Sequence, residues 1–118
     1  MNPLELKERT KAFALRVIRA VESLPRNRTA EVIARQLLRS GTSVGANYRA
    51  ACRARSRADF IAKMSIVLEE ADESVYWMEL LVQAGLVSQR RIASLLDEAS
   101  QLVAIAVSSI NTARKRRF

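Results

Sequence analysis

Between Ala30 and Cys52 the apolar and small residues Ala30, Ile33, Ala34, Leu37, Leu38, Gly41, Val44, Gly45, Tyr48 and Cys52 recur at i, i+3, i+4 and i+7. A strand alternates every second residue and a loop has no period, so this run commits its stretch to a helix with one buried face. One amphipathic helix cannot cover its own stripe, and the rest of the chain must supply helices that do. Gly41 and Gly45 sit four apart on the stripe. Each costs about 1 kcal/mol in a helix interior relative to alanine, and what they permit is the close approach of a second backbone. Close helix packing accounts for them better than a phosphate loop does.

Three further segments carry the same period. Asn2 followed by Pro3 is a helix start, since asparagine caps free amides and proline fits the first turn. The first helix is expected over 4–24, with Leu6, Phe13, Val17, Ala20 and Leu24 on its stripe and Pro25 ending it. The second is expected over 28–53, because continuing it would turn Arg55 into the apolar stripe, where an unpaired charge is costly. Ser56, with Asp59 three residues on, reads as a capping box for a third helix over 57–84. Its stripe is Phe60, Met64, Val67, Ala71, Val75, Met78 and Val82, and Gly85 suits its C-terminal cap. Ser88 caps a fourth helix over 89–113, with Ile92, Leu95, Leu96, Ala99, Leu102, Val103, Ala106 and Ile110 inward and a basic tail at 114–118. Four helices on short turns predict an all-α, up-down-up-down antiparallel four-helix bundle in a single domain over 1–118.

The residues present narrow the chemistry. With no histidine and one cysteine, the chain can form no intrachain disulfide, no Cys/His zinc site, no Ser-His-Asp triad and no carboxylate–histidine di-iron centre. Glu69, Glu70, Asp72 and Glu73 point around most of a helix circumference and do not converge on a metal. Cys52 lies on the core stripe without a base to activate it, and Tyr48 and Trp77 read as packing residues. Asn47, at the edge of the stripe, is expected to make a structural hydrogen bond to the acidic face of the third helix. The expectation is therefore no cofactor, no metal and no reaction. No apolar run approaches 18 residues and no charged-then-apolar leader is present, which predicts a cytoplasmic protein with no membrane partner.

Charge is the remaining signal. The net charge is +8, with 13 Lys/Arg against 4 Asp/Glu in residues 1–57 and 7 against 8 in 58–118. On a helical projection Arg35, Arg39, Arg49 and Arg53 fall within an arc of about 80°, nearly opposite the apolar stripe. Arg57 at the turn and Arg114, Lys115, Arg116 and Arg117 in the tail extend this set, and all nine are candidate phosphate contacts. A solvated basic face, with some arginines paired to Glu69, Glu73 or Glu79 of a neighbouring subunit, is the plainer alternative. Apolar residues outside the core suggest self-association. Ile66, Trp77 and Leu80 lie on the back of the third helix, and Leu4 and Leu15 on the outside of the first, as candidate oligomer contacts.

Ser43, Val44, Gly45, Ala46, Asn47, Tyr48 and Arg49, then Ser56, Arg57, Ala58, Asp59 and Phe60, then Glu70 to Glu73 leading into Tyr76, Trp77, Met78, Glu79, Leu80 and Leu81 resemble the bacterial four-helix bundle proteins of the 23S ribosomal-RNA intervening-sequence type. Relatives of that type include the accessory protein of diversity-generating retroelements. The resemblance implies a four-helix protomer, a ring-like homopentamer and nucleic-acid binding, RNA or DNA, through basic surface; a protein partner such as a reverse transcriptase follows from the same analogy. It implies no reaction. Similar sequences often carry glutamate after the Asn-Tyr-Arg run, where Ala50 stands here, so no role of that carboxylate transfers. Two readings stay open: a non-enzymatic nucleic-acid-binding oligomer, and an interaction scaffold whose charge only keeps it soluble.

Overall fold

The computed structural model describes residues 1–116 and contains four helices: α1 (Pro3–Glu22), α2 (Arg28–Ala51), α3 (Arg57–Gln83) and α4 (Gln89–Lys115). Each begins at a polar cap with extended backbone. The side chains of Asn2, Asn27, Ser56 and Ser88 accept hydrogen bonds from the amides of Glu5, Ala30, Asp59 and Arg91. At Ser56 the box is not reciprocal, since the Asp59 carboxylate accepts from the Arg55 amide at 3.1 Å, one residue ahead of the cap. α3 ends in a Schellman turn, with Leu86 N–H donating to the Leu81 carbonyl and Gly85 N–H to that of Val82. Gly85 takes φ +74°, which L side chains adopt only under strain.

The helix ends differ from expectation by small amounts with local causes. α1 stops at Glu22, two residues short of Leu24, where the Ser23 amide and hydroxyl both turn back to the Ala20 carbonyl. α2 stops at Ala51 and unwinds through tight turns, with Arg53 N–H on the Ala50 carbonyl and Ala54 N–H on that of Ala51, so Arg55 stays in solvent. α4 runs on to Lys115, placing Arg114 and Lys115 on its last turn and not in a loose tail, where cations complement the negative end of the helix dipole.

The helices pack in ring order, α1 on α2, α2 on α3, α3 on α4, with α4 closing more sparingly on α1. Ala20, Leu37, Leu81 and Ile92 meet near one end, and Leu6, Val44, Tyr48, Met64, Val67, Leu102 and Ala106 toward the other. That order of levels makes each neighbouring pair antiparallel. The bundle measures 53 × 20 × 20 Å. A Cβ built on Gly41 would lie 2.8 Å from both γ-methyls of Val17, and one on Gly45 would lie 3.1 Å from Thr10 Oγ1. The two glycines thus set the close α1–α2 approach that their spacing predicts.

The core contains polar members that the apolar pattern omits. Thr10, Ser40 and Ser74 are fully buried. Thr10 Oγ1 donates back to Leu6 O at 2.9 Å, and the Ser74 hydroxyl hydrogen-bonds Ser40 across α2 and α3 at 3.0 Å. Ala51, Leu81 and Ala113 are also buried, whereas Phe60, Val75, Val82 and Cys52 are only half-buried. α3 lies between α2 and α4, which explains its two-sided apolarity. Trp77 and Leu80 are half-buried against the protomer's own core, and the indole N–H donates to Glu73 at 3.1 Å, so two of the three residues on that seam are partly covered within one chain. Ile66, Leu4 and Leu15 remain 41%, 65% and 46% exposed.

α4 bears on the membrane expectation without overturning it. By length and composition alone it would suffice to cross a membrane. Its Ile92, Leu95, Ala99, Leu102, Ala106 and Ile110 line the bundle core, the ordinary use of such a stretch in a helical bundle.

Candidate nucleic-acid interface

The structure divides the cations predicted on α2. Arg35, Arg49 and Arg53 are exposed and, among the described residues, form no ion pair. Arg39 bridges instead to its own α3, donating to Glu70 at 2.9 Å and to Glu73. The Arg39 hydrogen bond, with a smaller contribution from Trp77, holds the Glu73 carboxyl below its usual range. Arg39 is therefore a structural clasp between α2 and α3; of the glutamates expected on a neighbouring subunit, Glu73 pairs with it in the same chain, joined by Glu70. Asn47 also differs from expectation: its amide donates to the Ser43 carbonyl of α2 at 2.8 Å and not to α3.

Antiparallel packing gathers most of the remaining candidate cations at one end. The last turn of α2 carries Arg49, the turn beyond it Arg53 and Arg55, the start of α3 Arg57, and the end of α4 with its cap Arg114, Lys115 and Arg116. All are exposed. Arg117, also a candidate, lies outside the described residues. Arg35 stands roughly 24 Å of helix, at about 1.5 Å per residue, before the end of α2 at Ala51. The predicted stripe is thus a basic pole with one outlying arginine. Asp59, the nearest carboxylate on α3, is occupied by Lys63 at 2.7 Å, and this bond leads the causes that lower its pKa.

Two cations at this pole escaped the sequence pattern. Lys7 and Lys11 of α1 border a surface groove of about 470 Å³ whose floor is Thr10, Ala14, Thr42, Gly45 and Ala46 and whose far rim is Arg49. Glu8 is the one carboxylate along it. The groove exists because Gly45, Ala46 and Ala14 are small where α1 and α2 meet. The i, i+4 lysines were visible in the sequence, but their place opposite Arg49 required the register between helices.

On the other side of α1, Arg9 reaches α4. Its guanidinium holds Glu98 through two bonds of 2.7 Å and Gln101 through a third, which raises the Arg9 pKa and closes the α1–α4 seam. The described residues contain no group of three or more His, Cys, Asp or Glu able to hold a metal. Burial, and then the neighbouring Cys52, pushes the Tyr48 pKa above its ordinary value.

A family model of the 23S rRNA-intervening sequence proteins matches residues 2–108. The chain belongs to that family. A solved structure from Bacteroides thetaiotaomicron, described as a protein of unknown function from the S23 ribosomal protein family, superposes with a TM-score of 0.86 at 36% identity, covering 94% of this chain and 99% of that one. No curated protein matches. The match to the family model takes in α1, α2, α3 and most of α4, so the glycine-mediated α1–α2 contact and the cations of α2 and the α2–α3 turn all fall within the family region.

Proposed function

We propose that this family member is a non-enzymatic RNA-binding bundle that holds phosphates on its basic pole. The observation that carries the reading is the convergence of Arg49, Arg53, Arg57, Arg114, Lys115 and Arg116, joined by Lys7 and Lys11, with no ion pair among them in the described residues. A cluster of unneutralised cations is held together at a cost in mutual repulsion, and a polyanion relieves it. The family's name connects it to ribosomal RNA, which favours RNA over DNA as the first ligand to test. Arginine contacts to phosphate position a strand without reading its bases, so affinity will depend weakly on sequence.

The protein works as a homo-oligomer in this reading, with Leu4, Leu15 and Ile66 as the apolar contacts still exposed on the protomer and the half-buried Trp77 and Leu80 adding what their outer surfaces leave uncovered. Repetition of the basic pole around a ring would raise avidity for one RNA without any new contact. The cytoplasm is the compartment such a protein would occupy.

The direct test is a gel-shift titration of structured RNA, wild type against Arg49→Glu/Arg53→Glu, with oligomer mass measured by sedimentation. The double variant is expected to lose binding at unchanged mass and melting temperature, because both side chains point into solvent. Undiminished binding would remove the basic pole from the account. Absence of binding by the wild type would leave the scaffold reading in its place. Ile66→Glu is expected to lower the oligomer mass with α-helical content retained, and a monomeric wild type at micromolar concentration would contradict self-association.

A further inference from the structure

At the tip of the basic pole, Pro3 of α1, Arg57 and Phe60 of α3 and Ser108, Ser109, Thr112 and Ala113 of α4 surround a cavity of about 610 Å³, with Arg116 at its rim. The volume lies within the range of small-ligand sites. Its composition is unusual for a bundle end. Phe60 is only half-buried and presents aromatic surface, Pro3 and Ala113 add apolar wall, and Arg57 and Arg116 are exposed and unpaired among the described residues. At the starts of α1 and α3, Asn2 and Ser56 each already accept from one amide. The positive charge comes from the two guanidiniums.

The hydroxyls sharpen the choice of ligand. Elsewhere on these helices Thr10, Ser40, Thr42, Ser43, Ser65 and Ser74 donate to carbonyls of their own helix or to each other. Ser108, Ser109 and Thr112 make no hydrogen bond within the described residues and border the cavity. A hydrocarbon tail with an anionic head would satisfy the arginines but set these hydroxyls against methylene. A nucleotide suits all three kinds of group: a flat ring for Phe60, polar edges and sugar hydroxyls for the serines and threonine, and phosphate for the arginines.

We propose that this cavity binds one unpaired, 5′-phosphorylated nucleotide, its base stacked on Phe60 and its phosphate held between Arg57 and Arg116. The inference rests on the nucleic-acid reading above and narrows it to single-stranded or terminal segments, because a base inside a duplex cannot reach Phe60. The same chemistry is offered by a free mononucleotide and by the end of an RNA chain. The chain end is the expected source, since the cavity lies at the end of the bundle that carries the other exposed cations, which can take the next phosphates.

Calorimetric titration of the full chain with adenosine 5′-monophosphate, inorganic phosphate, decanoate, a 5′-phosphorylated single-stranded tetranucleotide and a blunt RNA duplex tests this. The mononucleotide is expected to bind at least tenfold tighter than phosphate or decanoate, and the tetranucleotide tighter again. Arg57→Gln/Arg116→Gln should weaken the mononucleotide tenfold or more. Phe60→Leu, which keeps the apolar volume, should weaken it about tenfold through lost stacking and leave phosphate unaffected. A mononucleotide that binds no better than phosphate, or that is indifferent to both variants, overturns the pocket. A mononucleotide tighter than the tetranucleotide overturns the chain-end source. Salt-sensitive duplex binding without mononucleotide binding refutes the pocket and leaves the basic pole standing, whereas mononucleotide binding with no oligonucleotide binding does the reverse.

Discussion

Gly41→Ala asks whether the α1–α2 contact is set by a missing side chain. In an open helix the change would stabilise by about 1 kcal/mol, the propensity difference between the two residues. Here the new methyl would stand 2.8 Å from Val17 Cγ1 and Cγ2 and 3.1 Å from Val17 Cβ, closer than real Cβ contacts allow. Val17 is fully buried and β-branched, with one strongly preferred rotamer in a helix, so it cannot swing aside. Overpacking of this kind typically costs 1–3 kcal/mol, and three simultaneous contacts put the cost near the upper end, roughly 3 kcal/mol, which leaves a net loss of about 1–2 kcal/mol. The companion Val17→Ala removes the two methyls that clash. In that background only the 3.1 Å approach to the Cβ at 17 remains, so Gly41→Ala should become nearly neutral and the double-mutant cycle should show a favourable coupling of about 2 kcal/mol. Urea unfolding at matched protein concentration measures each corner of the cycle, the fixed concentration removing any contribution from association. Gly45→Ala provides an internal control. Its nearest contact is 3.1 Å, to a hydroxyl, so the propensity gain and the crowding nearly cancel. If Gly41→Ala stabilises the wild type, or if its effect is the same with alanine at 17, the close-approach explanation fails.

Two further predictions concern polar groups inside the bundle. Ser74→Ala removes the partner of a buried hydroxyl and should cost about 1 kcal/mol, while adding Ser40→Ala should cost little more, because removing both partners leaves nothing unsatisfied; a fully additive double variant in urea melts would contradict the pairing. Glu73 titrates below its usual range because Arg39 and Trp77 donate to it, so its contribution is present above the unfolded carboxylate value near 4.3 and is lost as pH falls through the lower folded value. Glu73→Gln should therefore flatten the acid limb of the stability–pH curve and lower stability at pH 7 by no more than about 1 kcal/mol, given its partial exposure. An unchanged acid limb would dissociate Glu73 from acid unfolding.

What could be read before folding follows the physics of each signal. Caps and periods are local, and Asn2, Asn27, Ser56, Ser88 and Gly85 do in the structure what their residue types demand. Gly41 and Gly45 were readable because a helix tolerates two such losses only for a packing reason. Ser40, Ser74 and Thr10 were not, since polar residues interrupt an apolar count even when they complete a buried face. Arg39 looked like its neighbours on the projection; only the register of α3 shows that Glu70 and Glu73 lie beneath it. Lys7 and Lys11 along one groove with Arg49, and Arg57 and Arg116 lining one cavity, likewise depend on which helix ends meet. The basic residues were visible, and their division into one clasp, one outlier and one pole was not.

The central claim is that unpaired cations at one end of the bundle hold RNA phosphates, and the salt dependence of binding measures it most directly. Each phosphate contact contributes about 0.7 to 0.9 to the negative slope of log affinity against log salt concentration. A protomer using at least four of the cations Lys7, Lys11, Arg49, Arg53, Arg57, Arg114, Lys115 and Arg116 should give a slope of about −3 or steeper, and Arg49→Glu/Arg53→Glu should flatten it by at least about 1.5. Arg39→Gln, which removes an arginine already bound to glutamates, should leave the slope unchanged. A slope near zero for the wild type, or equal slopes for the wild type and the Arg49/Arg53 variant, would contradict the account.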